Sequence, residues 1–177
     1  TYCNQYLAMA GDTDATMSAE IRFVRALHYF LLMDGWGNIP FTLEPMTKPE
    51  QRSRAQMYEW LEQELIGIEP ALSEAKAKKS TDAGYGRVDK AACWLLLSRL
   101  YLNSEIYTGT AQWQKAKEYA DKVIKSSYRL NTVGKGGWTA YQMLFMGDNG
   151  ETDAAYEALL PLLQDGLTTV SYTHLRA

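Results

Sequence analysis

Residues 22–41 read RFVRALHYFLLMDGWGNIPF, an apolar run that ends in a tryptophan set between two glycines. From Glu20 onward, Ile21, Val24, His28, Leu31 and Leu32 fall on one helical face, while Phe23, Ala26, Leu27 and Phe30 fill the neighbouring one. A helix apolar over so much of its circumference is expected to be buried. Gly35 offers the residue type of a left-handed C-cap and Pro40 prevents resumption, so the helix is predicted to stop at Gly35. Trp36 then poses a choice between a binding platform and a plug over the helix end. His28, between Val24 and Leu31 on its face, reads as a satisfied core histidine rather than a catalytic base.

Working outward, three further segments carry helical periodicity. From Ser53 to about Glu74, Tyr58, Leu61, Leu65 and Ile68 recur at three- and four-residue steps, and Pro70 is expected to kink or end the helix. From Arg87 to Tyr107, Val88, Ala91, Leu95, Leu102 and Ile106 are predicted to share a stripe, after a loop at Thr81–Gly86. From Ala111 to Ser126, Trp113, Ala116, Ala120, Val123 and Ile124 are predicted to face inward, with Lys115, Lys117, Glu118 and Lys122 wet. Beyond Ser127 the pattern stops, and the glycines of Val133–Trp138 argue for irregular backbone. No period-two alternation suggests a strand ladder. The fold class is mainly α.

Composition sets the bounds. At 177 residues and 46% hydrophobic content, the chain can enclose one core of ordinary domain size. No apolar run approaches the roughly 20 residues of a membrane-spanning helix. With 18 basic and 21 acidic residues the net charge is −3, and no basic stripe stands outside the short Lys76–Lys79 run, so no nucleic-acid partner is expected. Cys3 and Cys93 are far apart and neither forms a C-x-x-C pair, so they specify no zinc site or disulfide framework and leave the redox compartment open. Because the first residue is Thr1, signals upstream would fall outside this sequence.

The last two segments read as a helix-turn-helix pair. Within the first of them, Trp94, Leu97, Ser98 and Tyr101 match the W-x-x-L-G-x-x-Y spacing of a tetratricopeptide repeat, in which small residues let two helices approach. Ala116 and Ala120 supply the facing small positions. The connection from Asn103 to Thr110 is longer than a standard repeat, and a generic antiparallel hairpin remains the alternative.

Ala19–Ala26 (AEIRFVRA), His28-Tyr-Phe30, Gly35–Pro40 (GWGNIP), Arg87–Tyr101 and Trp113–Ser126 together resemble the SusD/RagB family. That family carries an A-E-x-R-F-L-R-A helix, an aromatic run, a G-D-V-P-like turn and an irregular tetratricopeptide-type hairpin. The resemblance extends from about Cys3 to Thr169. It implies an α–α superhelix, here incomplete, and a lipid-anchored protein of the bacterial outer-membrane surface. Such a protein binds oligosaccharide or polysaccharide without catalysis and delivers it to a SusC-type, TonB-dependent transporter, with no cofactor. Related sequences carry another bulky residue at the position of Trp36, which fits a plug better than a platform.

Glycan binding uses flat aromatic faces for the apolar side of a sugar, with polar side chains at its edge. The best local match is residues 136–150, where Trp138 and Tyr141 lie near Gln142, Asp148 and Asn149. The competing reading is that Trp138, Tyr141 and Phe145 cap the helical core. Asp148–Asp153 fails the calcium-loop pattern, since Gly150 stands where a ligand is needed, and Asp12-Thr-Asp14 fails it because Met17 occupies the glycine position. No metal site is predicted, and the second acidic pair reads as turn and helix entry. Nucleophile and phosphate-loop motifs are missing. Two other classes stay open: a tetratricopeptide-type peptide-binding module, and an α-helical glycosidase whose two carboxylates only folding would bring together.

The chain departs from the family in length. Its lipidation cysteine and large C-terminal portion have no counterpart here, and Cys3 does not sit in a lipobox. Helices whose apolar partners lie in the missing part are expected to expose apolar surface. Residues 170–177, Val-Ser-Tyr-Thr-His-Leu-Arg-Ala, break the pattern and are read as a non-native or chimeric tail. The expected folded core is the Trp94–Ile124 hairpin stacked on the Phe23–Leu32 helix.

Overall fold

The computed structural model describes residues 2–11 and 13–163, so the 170–177 tail and Asp12 lie outside the described residues. Seven α-helices and one two-stranded sheet are assigned among them, a mainly α fold. The chain divides into two compact units, Thr1–Lys76 with Val88–Arg129, and Ala77–Arg87 with Leu130–Ala177. None of the described helices is long and apolar enough to cross a membrane.

The first unit opens with helix α1 (Tyr2–Ala10), which packs on the long α2 (Ala15–Trp36). Asp14 starts α2 by accepting a hydrogen bond from the Met17 amide at 3.0 Å, as its reading as a helix entry requires. The helix does not stop at Gly35. It runs through Trp36 to Gly37, whose φ of 77° and amide bond to the Met33 carbonyl at 2.9 Å close the last turn. The buried face is the one bearing Ala19, Phe23, Ala26, Phe30 and Met33. Leu31 is half exposed, His28 is exposed, and Trp36 is 75% exposed, so Trp36 plugs nothing and His28 is not a core residue.

After the turn at Gly37, β1 (Ile39–Phe41) pairs antiparallel with β2 (Glu50–Arg52), Ile39 opposite Arg52 and Phe41 opposite Glu50. Ile39 and Phe41 point inward and Pro40 outward. Three residues are too few for alternation to register as a strand in the sequence. Ser53 and Gln56 then form a reciprocal capping box that starts α3 (Arg54–Ile68). Its buried positions Tyr58, Leu61, Leu65 and Ile68 are those the periodicity predicts, and a short 3₁₀ turn at Glu69–Ala71, containing Pro70, ends it.

Asp89, only 3% exposed, caps α4 (Lys90–Leu102) by accepting from the Ala91 and Ala92 amides, and it also accepts from the Lys76 amide and the Tyr128 hydroxyl. The predicted single stretch to Tyr107 is interrupted. Asn103 ends α4, α5 (Ser104–Thr108) follows, and Gly109 caps it in the left-handed region. The predicted stripe holds at Val88 and Ala91, which are buried, and fails at Leu95, Leu102 and Ile106, which are exposed; Ala92, Cys93, Leu96, Leu97, Leu100 and Tyr101 form the rest of the buried face.

Helix α6 (Trp113–Ile124) lies against α4, and the Ser98 hydroxyl donates to the Ala116 carbonyl at 2.8 Å, the close approach that small residues permit. The tetratricopeptide positions are occupied as the spacing implies. Leu97 is fully buried, and Tyr101 is buried, stacks on Tyr119 and donates to Glu62. Trp94 donates to Glu69 at 2.7 Å. Of the α6 residues predicted to face inward, Ala116 is buried, whereas Trp113 and Ile124 are 61% and 75% exposed. The expected stacking of this hairpin on α2 is also corrected: α2 packs chiefly on α3, and α3 in turn on α4 and α5.

Candidate functional site

The predicted site residues all fall in the second unit, where backbone geometry, not a core, positions them. Lys135 and Trp138 exchange backbone hydrogen bonds at 3.1 Å across Gly136 and Gly137, whose φ values of 61° and 85° are those of a tight hairpin turn. A side chain at Gly134 would strike the Trp138 carbonyl oxygen at 2.3 Å. The turn therefore holds Trp138 at the surface, 49% exposed. Asn131 ties the segment back by donating from Nδ2 to the Ala140 carbonyl at 2.9 Å, and its amide donates to Glu157.

Thr139 caps the one-turn helix α7 (Ala140–Met143) in a capping box with Gln142. Gln142 Oε1 accepts from the Thr139 amide at 2.9 Å and the Thr139 hydroxyl at 3.0 Å, which commits that oxygen to local structure. Tyr141 and Phe145 meet edge to face, centroids 5.2 Å apart, and are 70% and 71% exposed. Trp138, Tyr141 and Phe145 thus do not cap a core. Only Met143, between them in sequence, is buried.

Asp148 and Asn149 precede and begin a 3₁₀ turn at Asn149–Glu151. Asn149 Nδ2 donates to the Leu144 carbonyl at 2.8 Å. Together they line a recess of about 520 Å³ with Ser80, Tyr85, Leu162 and Leu163. The sequence reading missed Ser80 and Tyr85, which arrive from a stretch some 60 residues earlier. The visible signal was the run Thr81–Gly86, read only as a loop. In it Gly84 and Gly86 adopt φ of 77° and 78°, and Asp82 accepts from the Lys79 amide at 2.8 Å. The Ser80 amide donates to the Gly150 carbonyl at 2.7 Å, joining the two stretches. Among the described residues, no group of three or more His, Cys, Asp or Glu side chains is placed to hold a metal ion.

The first unit contains a polar cluster that spacing alone did not reveal. Glu64 on α3 accepts two hydrogen bonds from Arg22, at 2.9 and 2.6 Å, and one from Arg25 at 2.9 Å. Arg25 also reaches buried Asn4, which donates to the Thr42 carbonyl. Burial opposes ionisation of Glu64, yet the hydrogen bonds from Arg22 and Arg25, with their charges, outweigh it and hold the carboxyl below its usual range. This is what the two arginines of the AEIRFVRA helix do: they fasten α2 to α3 and α1. Cys93 is buried as a free thiol, its ionisation pushed up to about 12 chiefly by that burial. His28 borders a separate recess of about 610 Å³ with Tyr2, Val24, Tyr29 and Leu32, and its Nδ1 donates to the Val24 carbonyl.

No known family profile matches the chain. Its fold is nonetheless that of the SusD-like proteins. A SusD-like carbohydrate binding protein from Bacteroides fragilis matches with a TM-score of 0.65 at 23% identity, over 81% of this chain and 27% of that one. Surface glycan-binding protein A from Bacteroides uniformis matches with a TM-score of 0.65 at 26% identity, over 85% of this chain and 34% of that one. In sequence, the chain is 42% identical over 167 residues to the starch-binding protein SusD of Bacteroides thetaiotaomicron, covering 92% of this chain. The chain is a SusD homologue, and it spans 28% of the length of that relative.

Proposed function

We propose that the chain is part of a non-catalytic glycan-binding protein of the SusD type. It holds oligosaccharide at the outer-membrane surface and passes it to a SusC-type, TonB-dependent transporter. The observation that carries this reading is the 42% identity to a starch-binding protein sustained over 92% of the chain. The second unit supports it locally. Trp138 and Tyr141 present exposed aromatic faces on short, hydrogen-bonded turns, and Asp148 and Asn149 supply polar groups of the kind that satisfy sugar hydroxyls. In this reading Gln142 contributes through its amide nitrogen, since its oxygen serves the capping box.

Affinity electrophoresis of the purified chain through gels cast with starch and other polysaccharides tests the binding. Retardation by at least one polysaccharide, without release of reducing ends, is the expected result. Unaltered mobility in every gel would refute glycan binding by these residues, and release of reducing ends would favour a glycosidase. Co-purification of the chain, extended to the length of its relative, with a TonB-dependent transporter tests the delivery step.

A further inference from the structure

We infer that the recess walled by Tyr85 seats one neutral sugar ring, with Ser80 and Tyr85 joining the Asp148 and Asn149 that the sequence pointed to; this rests on the glycan binding proposed above. At about 520 Å³ the recess falls within the range of small-molecule pockets, roughly 300–1,000 Å³. Its lining is amphipathic in the way a pyranose requires. Leu162, Leu163 and the Tyr85 ring offer apolar surface, and Ser80, Asp148 and Asn149 offer polar atoms.

Those polar atoms are unspent. The hydroxyls of Ser80 and Tyr85 and the carboxylate of Asp148 make no hydrogen bond with the described residues, whereas most other polar side chains of this unit are engaged in turns and caps. The recess is also built by close approach. A Cβ at Gly150 would lie 3.1 Å from the Tyr85 hydroxyl oxygen and 3.3 Å from Ser80 Cβ. A Cβ at Gly86, where φ is 78°, would lie 3.0 Å from Leu163. Two glycines therefore let the walls meet, and a side chain at either would crowd them.

The charge of the lining sets the class of sugar. Among the described residues, Asp148 and Glu151 are its ionisable carboxylates, and no Lys or Arg lines it. A uronic acid or sulfated sugar would meet like charge at close range, an unfavourable interaction. A neutral hexose meets instead two hydroxyls and a carboxylate able to accept from its own hydroxyls, the charge-assisted bonds being the stronger ones.

Isothermal titration of the 177-residue chain with maltoheptaose, a neutral β-glucan hexasaccharide and an oligouronate tests this, with Tyr85→Phe, Asp148→Asn and Trp36→Ala variants alongside. Circular-dichroism melting checks that each variant remains folded, and both recess changes preserve side-chain shape. The expected result is binding of at least one neutral oligosaccharide, weakened about fivefold by Tyr85→Phe and about tenfold by Asp148→Asn, with Trp36→Ala unchanged and the oligouronate unbound. Neutral binding that both recess variants leave intact would overturn the assignment of the recess while glycan binding stands. Oligouronate binding as tight as that of the neutral sugars would overturn the charge argument. Failure of the unaltered chain to bind any of the three would remove the glycan reading and this inference with it.

Discussion

In the first unit, Phe23, Phe30, Met57, Leu61, Leu65, Leu97 and Leu100 are each at most 2% exposed, whereas among the described residues of the second only Met143, Ala154 and Ala155 are buried. The first is held by side chains that exclude water. The second is held by turns: a two-glycine hairpin, a capping box, an asparagine bridge and left-handed glycines. The difference bears on function, because a segment whose aromatics are not needed for a core can leave Trp138, Tyr141 and Phe145 facing solvent. One unit is held by a buried core, and the other leaves these three aromatics exposed on hydrogen-bonded turns.

The sharpest way to break this contrast is to attack the charged cluster of the first unit. Glu64, 8% exposed, is the common acceptor of Arg22 and Arg25. Glu64→Ala would leave Arg25, itself only 11% exposed at its side chain, without its ionic partner. A loss of about 3–5 kcal/mol is expected, read as a lowered denaturation midpoint. The pH dependence follows from the depressed carboxyl. A group ionised more easily when folded than when unfolded stabilises fully above its unfolded pKa and ceases to do so as pH falls through its folded one. The unaltered chain should therefore lose stability through the acidic carboxylate range, and Glu64→Ala should flatten that loss. An unchanged acid limb would show that the cluster does not fasten α2 to α3.

Next in size is Leu97→Ala, which removes a fully buried side chain from α4 and should cost about 2–5 kcal/mol. An unchanged melting midpoint would refute the placement of Leu97 in the core.

How much of this was legible depends on what each element uses to fold. The buried face of α3 and the small-residue contact between Ser98 and Ala116 follow from spacing, because a 3.6-residue period and one close approach determine them. The α2 face was legible as apolar but ambiguous in direction. Two neighbouring apolar stripes compete there, and only the partner helix α3 decides that Phe23 and Phe30 go inward while Leu31 stays half exposed. The α4 reading was right at Val88 and Ala91, but the helix turns Leu96, Leu97 and Leu100 inward rather than Leu95 and Leu102, and Ile106 lies beyond the break at Asn103. Gly35 and Gly37 are equal as residue types, and the choice of Gly37 depends on which carbonyl its amide can reach. The recess was legible in part. Asp148 and Asn149 stand in the segment that composition singled out, but Tyr85 and Ser80 are distant in sequence and join it only through the bond from the Ser80 amide to Gly150.

The smallest expected effect sharpens the contrast most finely. Thr139→Ala removes the side chain that accepts from the Gln142 amide at 3.3 Å and donates to Gln142 Oε1. Loss of an N-cap costs about 1 kcal/mol. In a unit with a continuous core that cost would be shared by the whole cooperative structure and shift its midpoint. Here α7 has four residues and a single buried side chain, Met143, so the cost should appear locally. Amide exchange of Tyr141 to Phe145 should quicken about fivefold, the population change that 1 kcal/mol implies, while exchange in α3 and α4 stays as it was. Equal acceleration in α3 would mean that the turn-built segment and the core unfold together, and that the aromatic faces of Trp138 and Tyr141 are held by the same packing that holds Leu61 and Leu97.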